Sequence, residues 1–331
     1  MDLYEKNGNI LYILNILRKY SDEDHMMSAS EIQKKIKEIY NVEIDTRTIR
    51  RNINLLKYKF DYDISTRDEN GKGYYINRDP ETDFEPGELR AIIDNFSYAN
   101  YIVKKKKKNI IKKCKNIQTV YENEKIKDYQ IYACDSKTEN VEVIKNIEDI
   151  SNSIYLNKKI KFEYWKYAIT NKLEKKIVSK PIVSPYAIVY NKQEFYLIGI
   201  KEGKTEFYNY RVDRIKNIQI LEEDITIKKK KSEIQDFAES STEMFGGKKE
   251  EIEAICHIWL LDTIFDTFGR NVTIEKIQDN EESFRLLVDT NTLGFKMWAM
   301  RNIDLVEVKK PLTLRNEMQY VIKNAMNKYE M

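Results

Sequence analysis

Three short runs rich in β-branched and aromatic residues, all between Pro181 and Ile215, constrain this chain more than any other stretch. Residues 187–190 and 195–200 are separated only by Asn191, Lys192 and Gln193, the spacing of a hairpin loop. A third run, 205–212, follows Gly203 and carries the pattern onward. Short strands linked by tight turns predict a small antiparallel sheet or barrel. Upstream, 159–167 (with Phe162, Tyr164 and Trp165) and 172–179 read as two more strands. Pro181 and Pro185 mark an irregular edge before the hairpin. Ile144, Ile147, Ile150 and Ile154 recur at helical spacing, so an amphipathic helix is expected across one end of the sheet.

Within this region, Phe195-Tyr196-Leu197, preceded by SPYAIVYN and followed by Tyr210-Arg211-Val212-Asp213-Arg214-Ile215, resembles the hallmark of the WYL-domain family. Phe stands where the family has its leading Trp, which removes an indole N–H donor. The resemblance implies an Sm-like small β-barrel over 141–227, of five or so strands with a covering helix. The strand pattern alone also allows an open sheet. Because strand side chains alternate, Phe195 and Leu197 point to the core and Tyr196 to the other face. There it is expected to line a concave surface with Arg211 and Arg214, and with Tyr164, Lys180, Ser184 and Tyr210 as further members of an effector site. Guanidinium groups grip phosphate bidentately and tyrosines stack on bases, so a nucleotide, an oligonucleotide or another anion suits such a set. The competing reading pairs Arg214 with Asp213 or a nearby glutamate and leaves Tyr196 as packing. The resemblance, in which the motif's polar residues bind ligands, favours the effector site.

The segment to residue 79 reads as a helix-turn-helix followed by a hairpin. Ile10, Leu11, Leu14 and Leu17 give a first helix its apolar face. Ser28, with Glu31 three residues on, caps a second helix whose stripe is Ile32, Ile36 and Ile39. Asp45 caps a third, TRTIRRNINLLKYK, with Ile49, Ile53 and Leu56 facing inward and Arg47, Arg50, Arg51 and Asn54 facing out. Residues 62–66 and 74–77 flank a polar turn at Asn70-Gly71-Lys72-Gly73, a two-stranded wing with Lys72 near its tip. A basic face opening a third helix suits a major groove, since Arg reaches guanine edges and phosphates. The expected DNA-binding set is Thr46, Arg47, Thr48, Arg50, Arg51, Asn54 and Lys72. The run also resembles the winged helix-turn-helix that commonly precedes WYL domains. TIRRNI at 48–53 matches its Thr-hydrophobic-Arg-Arg core, with Asn52 where that family often has Asp. The alternative is a three-helix structural domain with a solvated basic face.

Residues 80–140 read as a helical connector. Pro86 starts one helix with Leu89, Ile92, Ile93 and Phe96, and a second runs from about 102 with Ile110, Ile111 and Ile117. The five lysines at 104–108 are read as a solvated helix face rather than a nucleic-acid contact. These helices are also candidates for pairing between two subunits. A polar interdomain linker is expected over 228–248. From 249 to 331 the order is strand (251–259), helix (260–268, ending at Gly269), strands (271–277 and 283–289, around Asp279-Asn280), helix (293–300), strand (304–308) and closing helix (312–329). That βαββαβ order is the ferredoxin-like arrangement, and it resembles the C-terminal extension found after many WYL domains. The fold class is thus α+β and multidomain: winged helix-turn-helix, helical connector, Sm-like barrel and ferredoxin-like domain.

The chain's 331 residues suffice for two or three domains. Lys+Arg 57 against Asp+Glu 54 leaves +3, so any nucleic-acid surface must come from local clustering. Cys114, Cys134 and Cys256 lack CxxC spacing, and His25 and His257 are the only histidines, so no metal site, cofactor or histidine triad is expected. No signal peptide or long apolar run is present, which places the protein in the cytoplasm with no membrane partner. The expectation is a non-enzymatic, homodimeric, ligand-responsive transcription factor. Its partners are double-stranded promoter or operator DNA and an effector, with a nucleotide or single-stranded nucleic acid among the candidates. The rival is a nucleic-acid-binding accessory protein of a defence or RNA-guided system, and a nucleic-acid enzyme is a weaker third reading.

Overall fold

The computed structural model describes residues 3–79, 81, 83–127, 137–169, 173–241, 244, 249–278 and 280–329. Cys134 and Asp279 lie outside them. The chain divides into two compact units, one of Met1–Ala99 with Lys104–Ser136 and one of Asn100–Val103 with Lys137–Met331. No helix among the described residues is long and apolar enough to cross a membrane.

In the first unit, α1 (Leu3–Tyr20), α2 (Ala29–Tyr40) and α3 (Thr46–Lys59) close around Ile13, Ile16, Leu17, Ile32, Ile36, Ile49 and Ile53. The buried face of α1 differs from the expected one. Leu11 is 60% exposed, because it lies about 200° around the helix axis from Ile13, which with Ile16 takes the inward place. Ile39 is also exposed, since α2 ends two residues later at Asn41, in the left-handed conformation. Both expected caps form. Ser28 Oγ accepts the Glu31 N–H (3.2 Å) while the Glu31 carboxylate accepts the Ser28 N–H (2.7 Å), and Asp45 Oδ1 accepts the Thr48 N–H (2.9 Å).

Strand β1 (Ile64–Ser65), the single-turn helix α4 (Arg67–Asn70) and β2 (Tyr75–Ile76) follow. Ile64 lies opposite Ile76 and Ser65 opposite Tyr75, and a bridge between Met27 and Tyr74 ties this ribbon to the start of α2. The polar turn read from the sequence is therefore partly helical: Thr66 and Glu69 cap α4, and Gly71 (φ +75°) ends it. Helices α5 (Pro86–Tyr98), α6 (Lys104–Lys115) and α7 (Val120–Lys127) complete the unit around Leu89, Ile93 and Ile111. Among the described residues the connector thus has three helices. Ile117 is 58% exposed, because it falls in the turn that ends α6 and not on a helix face. Lys107 departs from the solvated run, lying buried with its ammonium 3.4 Å from the Ser97 carbonyl. Helices α5–α7 pack with α1–α3 in one body: Arg78 pairs with Glu122, and His25 stacks on Tyr121.

The second unit begins with α8 (Val143–Tyr155) and the strands β3 (Lys158–Ile169), β4 (Leu173–Ser179), β5 (Ile182–Asn191), β6 (Glu194–Lys201), β7 (Phe207–Arg211) and β8 (Ile215–Asp224). They form an antiparallel sheet in the order β4-β3-β5-β6-β7, with β8 also on β3, curled into a half-barrel. The last strand was not legible, because a short 3₁₀ turn at Val212–Arg214 interrupts its pattern. Lys192 and Gln193 both take positive φ (47° and 65°), the two-residue turn whose twist suits a hairpin. On α8 the inward stripe is Val143, Asn146, Ile150 and Ser153, with Ile144, Ile147 and Ile154 half-buried at its margin. The rotation brings Asn146 Nδ2 within 2.7 Å of the Ile215 carbonyl, to which it donates.

The expected linker contains a helix, α9 (Lys231–Ser240), whose Phe237 packs against Phe207 at 5.0 Å. Then come β9 (Lys249–His257), α10 (Leu261–Phe268), β10 (Val272–Ile277), β11 (Asn280–Asn291), α11 (Thr292–Arg301), β12 (Val306–Lys310) and α12 (Leu312–Tyr329). The sheet order is β10-β11-β9-β12, antiparallel throughout, over a core that includes Ile252, Cys256, Leu286, Phe295 and Trp298.

Candidate nucleic-acid interface and effector site

The outward face of α3 is cationic because its inward face is fully used. Ile49, Asn52, Ile53 and Leu56 are buried, which leaves Arg47, Arg50, Arg51 and Asn54 in solvent, with Tyr58 67% exposed at the far end. None of the three arginines makes an ion pair among the described residues, so their charge is uncompensated locally. Thr46 is half-buried. Thr48 Oγ1 donates to Asp45 Oδ2 at 2.6 Å, so that hydroxyl serves the cap. The cap holds the Asp45 carboxyl below the usual range through its hydrogen bonds from Thr48. The ribbon is fixed to α3 by Lys57, whose ammonium donates to the Ile64 carbonyl (2.8 Å) and pairs with Glu69 (2.5 Å). Lys57 is the first cause, and Thr66 the next, of a Glu69 carboxyl pulled down to about 2. Lys72 is exposed beyond α4.

In the half-barrel the expected constellation is only partly assembled. Tyr196 pairs with Arg211 across β6 and β7, so the two share a face, and Glu194 joins them. Arg211 Nε lies 3.0 Å from Asp213 Oδ1, and its Nη2 lies 2.9 Å from Asp213 Oδ2 and 2.6 Å from Glu194 Oε1. Arg211 is therefore committed to two carboxylates. The ion pair weighed for Arg214 belongs to Arg211. Arg214 itself makes no ion pair among the described residues and sits beside the Tyr164 hydroxyl. That hydroxyl accepts the Arg211 N–H at 3.2 Å, and its ring meets Tyr210 edge-on at 5.5 Å. Burial pushes the Tyr210 hydroxyl up to about 12. The other two expected members lie elsewhere. Lys180 pairs with Glu163 at 2.8 Å, and the Ser184 Oγ accepts the Thr226 N–H at 3.3 Å.

Burial, reinforced by Asp213, raises the Glu194 carboxyl, with Arg211 opposing. For Arg211, burial works against the charge, but the Asp213 hydrogen bonds together with the Asp213 and Glu194 charges outweigh it and keep the guanidinium charged. Glu194 Oε2 is buried without a hydrogen-bond partner among the described residues. Sequence reasoning missed Glu194, although it is the one carboxylate in the hairpin run 187–200 and two residues from Tyr196 on the same face. It also missed Asn140, whose Nδ2 donates to the carbonyls of Asp213 (3.0 Å) and Ile215 (2.8 Å) and so holds the turn that presents Arg214. No group of three or more His, Cys, Asp or Glu among the described residues is placed to hold a metal ion.

Residues 145–220 match the family model described as the WYL domain, so the region that forms α8 and most of the half-barrel is a WYL domain. No curated protein matches the chain. Two solved structures align along nearly all of it. Proteasome accessory factor B/C (PafBC) of Arthrobacter aurescens is 12% identical with a TM-score of 0.27, over 99% of this chain and 49% of that one. A CRISPR Cas-related protein is 15% identical with a TM-score of 0.39, over 98% of this chain and 85% of that one. The chain thus spans about half the length of the PafBC structure, and neither superposition is close enough to carry an argument about function.

Proposed function

We propose, from the premise that residues 145–220 are a WYL domain, that this chain is a DNA-binding transcriptional regulator whose WYL domain receives an effector. The observation that carries the reading is the outward face of α3, where Arg47, Arg50 and Arg51 stand unpaired beside a ribbon locked to the same helix by Lys57. Three helices followed by a two-stranded ribbon support a winged helix-turn-helix, with α3 entering the major groove and Lys72 on the wing reaching a phosphate. The sheet order β10-β11-β9-β12 likewise supports a ferredoxin-like C-terminal domain. The effector surface is narrower than the motif suggests. Arg214, Tyr196 and Tyr164 are the groups offered to an anionic ligand, because Arg211 is already neutralised. No catalytic step is assigned to any residue.

The test is selection of genomic duplex fragments by the purified protein at near-physiological salt with non-specific competitor, followed by sequencing. Enrichment of a discrete site is expected, and uniform recovery would remove the reading. On that site, Arg47→Ala with Arg51→Ala weakens binding and lowers the slope of log affinity against log salt by about 2, since each lost phosphate contact is worth about 0.9. An unchanged slope would remove α3 as the recognition element.

A further inference from the structure

The geometry points to a second nucleic-acid contact, on the outer face of the β3–β4 ribbon, that grips the phosphodiester backbone without reading sequence. Between residues 158 and 180 the chain carries eight lysines and two glutamates, in a protein whose whole excess is +3. The backbone gathers part of this charge onto one surface. From Trp165 to Ile169, β3 pairs only with β4, so the two strands run on as a ribbon past the end of β8. Lys161, Trp165 and Tyr167 alternate on one side of β3. Lys175 stands opposite Tyr167, and Lys216 of β8 stands opposite Glu163 on that same side.

Two lysines are held in place by the rings. Lys216 Nζ lies 4.8 Å from the Trp165 ring centroid, and Lys175 Nζ 4.9 Å from that of Tyr167. Lys161 and Lys216 make no ion pair among the described residues. The acids near this side are Glu139, on Lys175 at 3.2 Å, Glu163, on Lys180 at 2.8 Å, and Glu202 and Glu223, both on Lys159 (2.9 and 2.8 Å), so the excess rests on Lys161 and Lys216. Such exposed pairs are weak and exchange readily for phosphate. Each lysine sits over one face of its ring, so the aromatics order the ammonium groups. Ordered ammonium groups on a protruding ribbon fit a polyanionic backbone, where Lys acts as a point charge.

The experiment uses the full chain and two unrelated duplexes of equal length, with affinity followed against salt. Lys161→Gln with Lys175→Gln and Lys216→Gln is expected to lower the salt slope by about 2–3, equally on both duplexes. The same decrement is expected in the Arg47→Ala/Arg51→Ala background, which separates this surface from α3. Replacing the three lysines by Arg is expected to keep the slope. If that version loses it too, the effect runs through the ribbon's fold and the proposal fails. An unchanged slope in the Gln variant overturns it, as does an unchanged slope with lost self-association in sedimentation, which would give the surface to a second copy of the chain. Should the triple variant not fold, the exposed Lys161→Gln alone is read for a decrement of about 0.9.

Discussion

Arg211 shows how one side chain of a recognisable motif can be turned inward. Its fork spans Asp213, and the same Nη2 reaches Glu194, leaving the two carboxylates with one guanidinium between them. Removing the arginine would leave both acids partly buried and facing each other. Arg211→Ala is therefore expected to destabilise the second unit by about 3 kcal/mol, the lower end for a broken buried pair because the side chain is about a quarter exposed. Arg211→Lys should recover only part of the loss, since an ammonium cannot span Asp213 bidentately. Urea unfolding of the three proteins measures this, and an Arg211→Ala midpoint equal to wild type would mean the network is not structural. The motif's spacing in the sequence located this cluster, because Tyr196 and Arg211 are cross-strand partners. It did not give the charge balance, which depends on the β6–β7 register that brings Glu194 alongside, a non-local fact.

Among elements, α3 and its ribbon were the most legible, since caps and an apolar stripe are local signals. Ser28-Glu31 and Asp45-Thr48 hydrogen-bond as their spacing requires. Which residues of α1 turn inward was less so, because Leu11 and Ile13 are equally apolar and only packing against α2 and α3 separates them. Helix α9 hid in a lysine-rich stretch for the same reason: its anchor, Phe237, is defined by a partner far along the chain, Phe207. The ribbon carries a prediction about acid. Glu69 titrates near 2 in the folded protein instead of its ordinary 4.5, so the stabilisation it gives α4 and the Lys57 link is present above about 4.5 and lost as pH falls toward 2. The stability difference between wild type and Glu69→Gln should accordingly shrink over that window. Circular dichroism of urea titrations at several pH values would follow it, and a difference that stays constant would show that the Lys57 pair contributes nothing.

For the whole molecule, the near-neutral total of +3 conceals a sorted distribution, with cationic faces on α3 in one unit and on the β3–β4 ribbon in the other. On the function proposed above, the chain binds duplex through these local fields and gains site selection by pairing two copies on a two-fold site. If the working form is a homodimer, the two α3 helices lie on successive major-groove faces, about one helical turn apart. The selected site should then be an inverted repeat. Inserting about five base pairs between its halves, half a turn, would swing one half-site to the far side of the duplex and lower affinity to that of a single half-site. Inserting about ten would return both halves to one face and recover part of the loss. Affinity that ignores the insertion, together with a monomer in sedimentation at the same concentration, would mean that one α3 acts alone. The site would then lack two-fold symmetry, and the effector would act within one chain instead of across a pair.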